Sequence, residues 1–457
     1  MPILPIDSGR YGSTEIREIF EENSRLKYQL EFEMSVAIAQ AQIRMIPKDA
    51  AEEISNAVMA NLVNLKRIKE LERISEHDTA ALIEALSEQC SSKTRPWIHY
   101  GLTSSDVVDT SISMQTRDVL VVIESKILTL TDKLLDKACK FASQPAVGRT
   151  HGQHASIISF GLKFAVWALE LAKHLERIEE GKKRYLICKT LGVVGTGSLM
   201  GNRALEVQKL VSKKLCLFPI DASTQVISRE RFAEIQFIIA LVGCTLDKIA
   251  TEIRNLQRTE IDELAEPFKT GQMGSSAVPV KRNPIKSERV SSLARLLRPL
   301  VTVSMENISL WHERDLTNSA NERFTIPMSS ILIDEMLISM IKVISELRVN
   351  REKIAANIDL TNGKIYAEFV LDELIKKGVP RFEAYRDVQR IAFSETRLNF
   401  VDAIRRDSKV SKVLSEQELA RIFNPHNHLA ASLKIIANVS KLVDRTRRKM
   451  TYKHSSM

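Results

Sequence analysis

Hydrophobic residues between positions 232 and 256 recur in alternating steps of three and four. The row consists of Phe232, Ile235, Ile239, Val242, Leu246, Ile249, Ile253 and Leu256. This spacing is typical of a helix that is buried along one seam of a left-handed bundle. Because no proline occurs from residue 228 to residue 266, we expect a helix of up to roughly 50 Å at ~1.5 Å per residue.

Further stretches also show helical character. A second apolar row at the same spacing runs from Phe160 to Ile178, and a third helical stretch covers about residues 106–141. Another helix is expected to follow Pro284 and to continue past Pro299, where a kink is expected. Four or five long helices predict an all-α protein with a long central helical bundle.

Two segments interrupt this helical pattern. Residues 191–198, LGVVGTGS, are rich in glycine and break helices. Residues 270–284, TGQMGSSAVPVKRNP, are 15 residues with two glycines and two prolines. Loops of that length between long helices are uncommon and often form lids over functional sites. We therefore expect this segment to be functional.

The length of 457 residues suggests about three domains. We divide the chain near residues 105 and 355 into an N-terminal helical domain (1–105), a central long-helix bundle that carries the 270–284 loop (106–355) and a C-terminal helical domain (356–457). Few helix-breaking residues (16 Gly, 13 Pro) and 5% aromatic residues fit this all-α assignment.

The net charge of +9 is modest for this length. Part of it lies in a basic C-terminal tail that contains Arg445, Arg447, Arg448, Lys449 and Lys453. A solvated chain end explains this tail better than a nucleic-acid arm, and no nucleic-acid motif is present. Basic charge would also suit a small polyanionic ligand. We therefore expect no nucleic-acid partner.

The five cysteines are widely spaced and include no C-x-x-C pair. This pattern fits neither a disulfide framework nor a zinc site, and it suits a reducing compartment. No apolar run reaches the ~18 residues of a membrane span, and the N-terminus lacks signal-peptide regions. The sequence therefore predicts a cytoplasmic protein without a membrane partner.

Four polar clusters are candidates for chemistry, although each has an ordinary structural explanation. Residues 76–78, EHD, lie in a helical stretch and alone suggest a surface histidine. In HYGLTSSD (99–106), Ser104 or Ser105 suits the cap of the following helix. In RTHGQH (149–154), two histidines three apart suit one helical face, but no further ligand completes a metal site. The fourth cluster is GSS (274–276) with KRNP (281–284).

Together these clusters resemble the fumarase/aspartase superfamily. GSSAVPVKRNP is similar to the superfamily loop G-S-S-x-M-P-x-K-x-N. Four further motifs resemble the adenylosuccinate lyase family more narrowly: HYGLTSSDVVDT (99–110), RTHGQHA (149–155), STQVISR (223–229) and LWHERD (310–315). The motifs follow the family's order from about Arg10 to Arg323, whereas the C-terminal third matches only in helical character.

The resemblance implies a cofactor-free reaction of purine nucleotide biosynthesis. In it, fumarate is eliminated from adenylosuccinate, giving AMP, and from SAICAR, giving AICAR. Ser275 is implied as the base, and His151 as the acid that protonates the departing nitrogen. Glu288 is implied to orient the His151 ring. Because a serine hydroxyl is a poor base, Lys281 and backbone N–H groups of the loop are candidates for stabilising its alkoxide.

The resemblance also implies a set of substrate-binding residues. These are Arg10, Tyr11, His77, Asp78, His99, Thr103, Ser104, Thr150, Gln225, Ser276, Asn283, Arg314, Ser319 and Arg323. The sequence departs from the family pattern at Val278, where methionine is usual, at Met273 and Val280, which are often basic or polar, and at Glu76, where many relatives have arginine.

The family packs long helices from four subunits, with each site built from three chains, so the resemblance implies a homotetramer. Two other hypotheses remain open at this point. One is another lyase of the superfamily, such as an argininosuccinate lyase or a carboxymuconate cycloisomerase, against which LWHERD and HYGLTSSD argue. The other is a non-catalytic helical scaffold, against which the intact His151, Ser275, Lys281 and Asn283 argue.

Overall fold

The computed structural model describes residues 4–394 and 398–454. Within them the chain is all-α apart from short strands, which confirms the predicted fold class. The helices are α1 (Thr14–Phe20), α2 (Glu22–Gln42), α3 (Lys48–Met59), α4 (Leu65–Ser75), α5 (Asp78–Glu88), α6 (Ser104–Lys140), α7 (Phe160–Tyr185), α8 (Ala204–Lys214), α9 (Glu230–Leu256), α10 (Ile285–Glu306), α11 (Ser319–Ser345), α12 (Arg351–Asp359), α13 (Ala367–Lys376), α14 (Arg381–Ala392), α15 (Phe400–Arg406), α16 (Glu416–Ile422) and α17 (Ala430–His454). The strands are β1 (Pro145–Thr150), β2 (Gln153–Ser159), β3 (Ile187–Cys188), β4 (Phe218–Pro219), β5 (Leu264–Ala265) and β6 (Arg348–Val349).

Five helices of 22 to 37 residues, α6, α7, α9, α10 and α11, form the central bundle. Helix α9 packs against α10, α7 and α11, and α6 packs against α7 and α11. Every residue of the apolar row from Phe232 to Leu256 is buried. The long bundle predicted from the hydrophobic spacing is therefore confirmed, and α10 runs through Pro299 as expected.

Helix α9 is shorter than the absence of proline suggests. It ends at Leu256 after 27 residues, which is about 40 Å. Asp262 then adopts a positive φ of 46°. The Gln257 side-chain oxygen accepts a hydrogen bond from the Glu266 backbone N–H at 2.9 Å, so this side chain closes a turn instead of continuing the helix.

The RTHGQH segment forms a β-hairpin and not a helix. Strands β1 and β2 pair antiparallel, with Arg149 opposite His154 and Thr150 opposite Gln153. The two turn residues, His151 and Gly152, have φ values of 52° and 74°, the left-handed conformation of a tight hairpin turn. The expectation that His151 and His154 share a helical face is therefore wrong.

Two other local expectations are also wrong. Residues 76–78 do not continue a helix, because Glu76 adopts a left-handed φ of 51° that ends α4. His77 then caps α5, and its Nδ1 accepts from the Ala80 backbone N–H at 3.2 Å. At α6 the cap is Thr103 and neither Ser104 nor Ser105, which lie inside the first turn.

Buried apolar side chains form three clusters in the described part of the chain. The largest fills the bundle and includes Ile436, Val439 and Val443 of α17. A second lies among helices α2 to α5, and the third joins the β1–β2 hairpin to helices α13 to α16. We keep the three-domain division of the sequence as a proposal.

Helix α11 meets the length and hydropathy of a membrane span, but 72% of its apolar window is buried inside the protein. The packing of α11 against α10, α6 and α9 accounts for its apolar composition. The five cysteines are all free.

Replacement of Leu246 by alanine tests the α9 seam. Leu246 is fully buried, so Leu246→Ala should lower the free energy of unfolding by about 2–5 kcal/mol. Leu360→Ala is the matched control, because Leu360 is 69% exposed and its loss should cost less than about 0.5 kcal/mol. Urea denaturation measures both, and equal effects would contradict the assigned packing.

Candidate active site

A cleft of about 490 Å³ lies where the beginnings of α5, α6 and α11 meet. Six of the substrate-binding residues expected from the sequence line it: His77, Asp78, Ser104, Arg314, Ser319 and Arg323. They come from three segments that are far apart in sequence. The fold therefore brings nearly half of the expected binding residues together within one chain.

The mouth of the cleft is rich in guanidinium groups. Asp78 accepts hydrogen bonds of 3.1 Å from both Arg25 and Arg323. Arg314 donates to the Gln225 side-chain oxygen at 3.2 Å, and Gln225 donates to Thr103 at 3.4 Å. These contacts place Gln225 and Thr103 beside the cleft and aim its cations at a site suited to an anion.

The floor of the cleft is a buried ionic cluster that the sequence analysis missed. Arg229 donates to both carboxylate oxygens of Asp109, at 2.8 and 3.0 Å. Its Nε lies 3.2 Å from Glu322. Asp109 and Arg229 stand inside motifs used for the resemblance, but only the fold shows that they pair across 120 residues.

A second buried pair fixes the first turn of α6. Lys189 and Asp106 are both fully buried and form a hydrogen-bonded ion pair. The other Asp106 oxygen accepts from the backbone N–H groups of Thr103 at 2.9 Å and Gly192 at 3.0 Å. Asp106 thus joins the glycine-rich segment to the helix end that carries Thr103 and Ser104.

The 270–284 segment is a loop between β5 and α10, as the sequence predicts. The Ser275 Oγ accepts from the backbone N–H groups of Ala277 at 3.3 Å and Val278 at 3.1 Å. Asn283 donates to the Gly274 carbonyl at 2.8 Å, which ties the two ends of the loop together. Ser276 and Lys281 are exposed.

The end of this loop borders a second, open cleft of about 1080 Å³. Lys281, Asn283 and Glu288 line it. The buried carboxylate of Glu266 accepts from the Ser287 backbone N–H and from its Oγ, both at 2.6 Å. Glu266 therefore caps the first turn of α10 and fixes the helix on which Glu288 stands.

The β1–β2 hairpin presents Thr150 and His151 at its tip, where both are exposed. The hairpin is held next to its turn by Arg149, which donates to the two Glu263 carboxylate oxygens at 2.6 and 3.3 Å. Glu263 is fully buried and also accepts from Asn357 at 2.8 Å. Burial and the neighbouring Arg149 cation lower the pKa of His154 and favour its neutral ring.

The N-terminal segment contributes Arg10 and Tyr11. The Arg289 guanidinium lies 5.9 Å from the centre of the Tyr11 ring, within cation–π range. The Gly12 N–H donates to Glu335 at 3.2 Å and the Ser13 N–H to Asp334 at 2.7 Å. These bonds hold the segment against α11, with Arg10 exposed.

His99 lies beside α2 and not in the cleft of His77. Its Nδ1 is 2.6 Å from the buried carboxylate of Glu33. Burial lowers the pKa of His99, but the charge and the hydrogen bond of Glu33 outweigh burial and raise this pKa above its ordinary value. Glu33 thus favours a cationic His99.

Within the described part of one chain, the expected residues fall in separate places. His151 and Ser275 are not among the residues that line either cleft. The structure describes no hydrogen bond or ion pair between His151 and Glu288, so the role of Glu288 in orienting this ring stays a prediction. His151 therefore lies at the exposed tip of the hairpin, and Ser275 lies half-buried in a different loop of the same chain.

The sequence matches the family described as Lyase over residues 9–296 and the one described as Adenylosuccinate lyase C-terminus over residues 363–439. The second match corrects the expectation that the C-terminal third is similar only in helical character. The matched range contains helices α13 to α16.

Full-length relatives agree with these matches. The chain is 42% identical to the adenylosuccinate lyase of Methanocaldococcus jannaschii, over 96% of each chain. It is 41% identical to that of Pyrococcus abyssi, over 98% of this chain and 100% of the relative.

Solved structures share the fold at lower identity. The 3-carboxy-cis,cis-muconate lactonizing enzyme of Pseudomonas putida superposes with a TM-score of 0.86 at 26% identity, over 97% of this chain and 100% of the other. A fumarate lyase of Mesorhizobium sp. BNC1 superposes with a TM-score of 0.86 at 28% identity, over 96% of this chain and 99% of the other.

Replacement of Glu33 by glutamine tests the His99 pair. Glu33 raises the pKa of His99 in the folded state. The pair therefore stabilises the fold most at a pH below the pKa of histidine in the unfolded chain, ~6.5. This contribution is lost as the pH rises through the pKa of His99 in the folded state. Glu33→Gln should cost about 1.5–3 kcal/mol at pH 6 and less at pH 9. Urea denaturation at both values measures this.

The control for this experiment is Glu18→Gln, since Glu18 is an exposed carboxylate on α1. Its effect should be small at both pH values. If Glu33→Gln destabilised the protein more at pH 9 than at pH 6, the raised pKa of His99 would be wrong.

Proposed function

The chain belongs to the adenylosuccinate lyase family, and on this basis we propose that it eliminates fumarate from adenylosuccinate to give AMP and from SAICAR to give AICAR. The single observation that carries this proposal is the meeting of Ser104, Arg314, Ser319 and Arg323 in one cleft. Two guanidinium groups, two hydroxyls and a helix N-terminus suit the phosphate of a nucleotide.

Ser275 is proposed as the base of the elimination. It takes a proton from the carbon beside a succinyl carboxylate, and that C–H electron pair becomes the fumarate double bond as the C–N bond breaks. Removal of so weakly acidic a proton requires an alkoxide. The N–H groups of Ala277 and Val278 that donate to Ser275 Oγ would stabilise its negative charge, and the Lys281 cation would add to them.

His151 is proposed as the acid that protonates the departing nitrogen. An imidazole can donate and recover a proton near neutral pH. His151 is exposed at the tip of a two-residue turn, where one ring nitrogen would face the substrate and the other a carboxylate such as Glu288. The Arg149–Glu263 pair holds the hairpin next to its turn and so fixes the position of the tip.

We propose that the active site is completed by assembly into a homotetramer, with residues from three chains in each site. His151 and Ser275 lie on different segments of one chain, the first exposed and the second half-buried, and a second chain would bring them together. Large apolar side chains also remain exposed on the bundle helices. They include Val121, Val166, Phe237, Leu296 and Met305, which are between 41% and 58% exposed, as expected of an interface.

The remaining parts of the proposal follow from the chemistry. The elimination uses acid, base and cations that the chain itself supplies, so we propose no cofactor. Nucleic acid and membrane are not proposed as partners, and we propose the cytoplasm as the compartment. The exposed basic residues of α17 have no role in this scheme.

Two rival functions make different predictions. A carboxymuconate cycloisomerase is favoured only by the shared fold of the solved structures, at 26% identity, whereas full-length identities of 37–42% are to adenylosuccinate lyases. A catalytically inactive scaffold would have no need for two N–H groups aimed at Ser275 Oγ.

Turnover of adenylosuccinate, followed by ultraviolet absorbance, tests the reaction. The wild-type protein should release AMP and fumarate, and Ser275→Ala should lower kcat by about 10²–10⁴-fold because the base is lost. Ser411→Ala, an exposed serine on the surface of the C-terminal region, should keep wild-type activity. Consumption of carboxymuconate or argininosuccinate in place of adenylosuccinate would overturn the substrate.

Mixing two inactive variants tests whether chains share sites. If acid and base come from different chains, random co-assembly of Ser275→Ala with His151→Ala restores both residues in roughly a quarter of the sites. Activity should therefore rise toward a quarter of the wild-type value after co-refolding. A mixture no more active than either parent would show that each site draws both residues from one chain.

A further inference from the structure

The floor of the 490 Å³ cleft carries an unbalanced charge. Arg229 is the cation there, and it is 4% exposed; its partners Asp109 and Glu322 are 1% and 8% exposed. With both carboxylates ionised, the floor has a net charge of −1. A buried charge without a counter-charge is costly in a protein interior.

The surroundings of Glu322 decide which carboxylate gives up its charge. Asp109 is doubly hydrogen-bonded by Arg229 and also accepts from the Ile227 N–H at 2.8 Å. Glu322 accepts a hydrogen bond from Asn318 Nδ2 at 2.9 Å and forms an ion pair with Arg229, whose Nε lies 3.2 Å away. It therefore has the weaker set of donors.

Three charged groups outside α11 act on Glu322. Asp109 projects from α6, Arg229 precedes α9, and Arg314 lies in the segment before α11. Burial raises the pKa of Glu322 to about 7, Arg229 lowers it and Asp109 raises it. Of the two buried carboxylates, Glu322 is thus the one that more readily takes up a proton.

This position links Glu322 to the residues that would hold a phosphate. Glu322 stands in the first turn of α11, between Ser319 and Arg323, and all three line the cleft. As a carboxylate it places a negative charge beneath a dianionic ligand. As a neutral acid it can still accept from Asn318 Nδ2 through its carbonyl oxygen, and it no longer carries that charge.

We propose that Glu322 is a positioning residue whose protonation sets the affinity of the cleft for a dianionic phosphate group. This inference rests on the proposed function, which puts the phosphate of the nucleotide in this cleft. Binding of the phosphate stabilises the neutral acid, so the protein takes up a proton as the nucleotide binds. Affinity then falls as the pH rises above neutrality.

The test is the dissociation constant of AMP between pH 7 and pH 9, measured by titration calorimetry. The AMP phosphate stays a dianion over this range, since its second pKa is ~6. For the wild-type protein the constant should rise severalfold, by at most about tenfold per pH unit. Glu322→Gln, which stays neutral, should show a flat profile and bind AMP more tightly than wild type at pH 9.

Two controls isolate the effect. Adenosine, which lacks the phosphate, should show little pH dependence with the wild-type protein. Glu124→Gln removes another buried carboxylate, one that pairs with Lys182 at 2.9 Å outside the cleft. It should keep the wild-type profile for AMP, and a flat profile here would overturn the assignment to Glu322.

A measurement on the wild-type protein does not depend on the folding of a variant. Calorimetry at pH 8 in two buffers of different ionisation enthalpy should show net proton uptake with AMP. Absence of uptake, or a Glu322→Gln protein with the wild-type profile, would overturn the role of Glu322 alone. A wild-type protein that does not bind AMP at any pH would overturn the proposed function as well.

Discussion

Four buried carboxylates hold the segments from which the candidate site is built. They are Asp106, Asp109, Glu263 and Glu266. An unpaired carboxylate in a protein interior costs several kcal/mol, so each must find donors. Their donors lie on the segments that carry the expected site residues. Asp106 accepts from Lys189 and from the N–H groups of Thr103 and Gly192, and Asp109 accepts from Arg229 and the Ile227 N–H. Glu263 accepts from Arg149, and Glu266 accepts from Ser287 and the Lys286 N–H. Loss of any one carboxylate would release a functional segment, not merely lower stability.

This arrangement explains how a rigid bundle presents reactive groups on its surface. Buried carboxylates and their donors hold the hairpin and the loop in place. His151 lies at the exposed tip of the hairpin, and Ser275 is half-buried in the loop. A tip that is fixed in position but open on its outer side is suited to meet another chain. The cleft with Arg314 and Arg323 is, by contrast, already formed within one chain. Under the proposed function, the anion would bind in this cleft, whereas the proton transfers would take place at the hairpin tip and the loop.

The sequence predicted the bundle because each long helix has its own apolar seam, and it predicted the motifs because their polar residues are local. It did not predict the hairpin, since its His151–Gly152 turn lacks the usual Asn-Gly or Asp-Gly signal. It also missed Arg149–Glu263 and Asp109–Arg229, whose partners are 114 and 120 residues apart. Pairing at such distance depends on how the helices pack, and no local pattern records it. Arg25 and Glu33 were missed for the same reason.

In the proposed tetramer, the acid and the base come from different chains and meet at one substrate. The most direct measurement is a crystal or electron cryo-microscopy structure of the Ser275→Ala protein with adenylosuccinate bound. We predict a tetramer in which His151 of one chain and the 270–284 loop of another contact the same succinyl group, with the phosphate in the cleft of Arg314 and Arg323. A nucleotide contacted by a single chain, or a phosphate bound outside that cleft, would contradict the account.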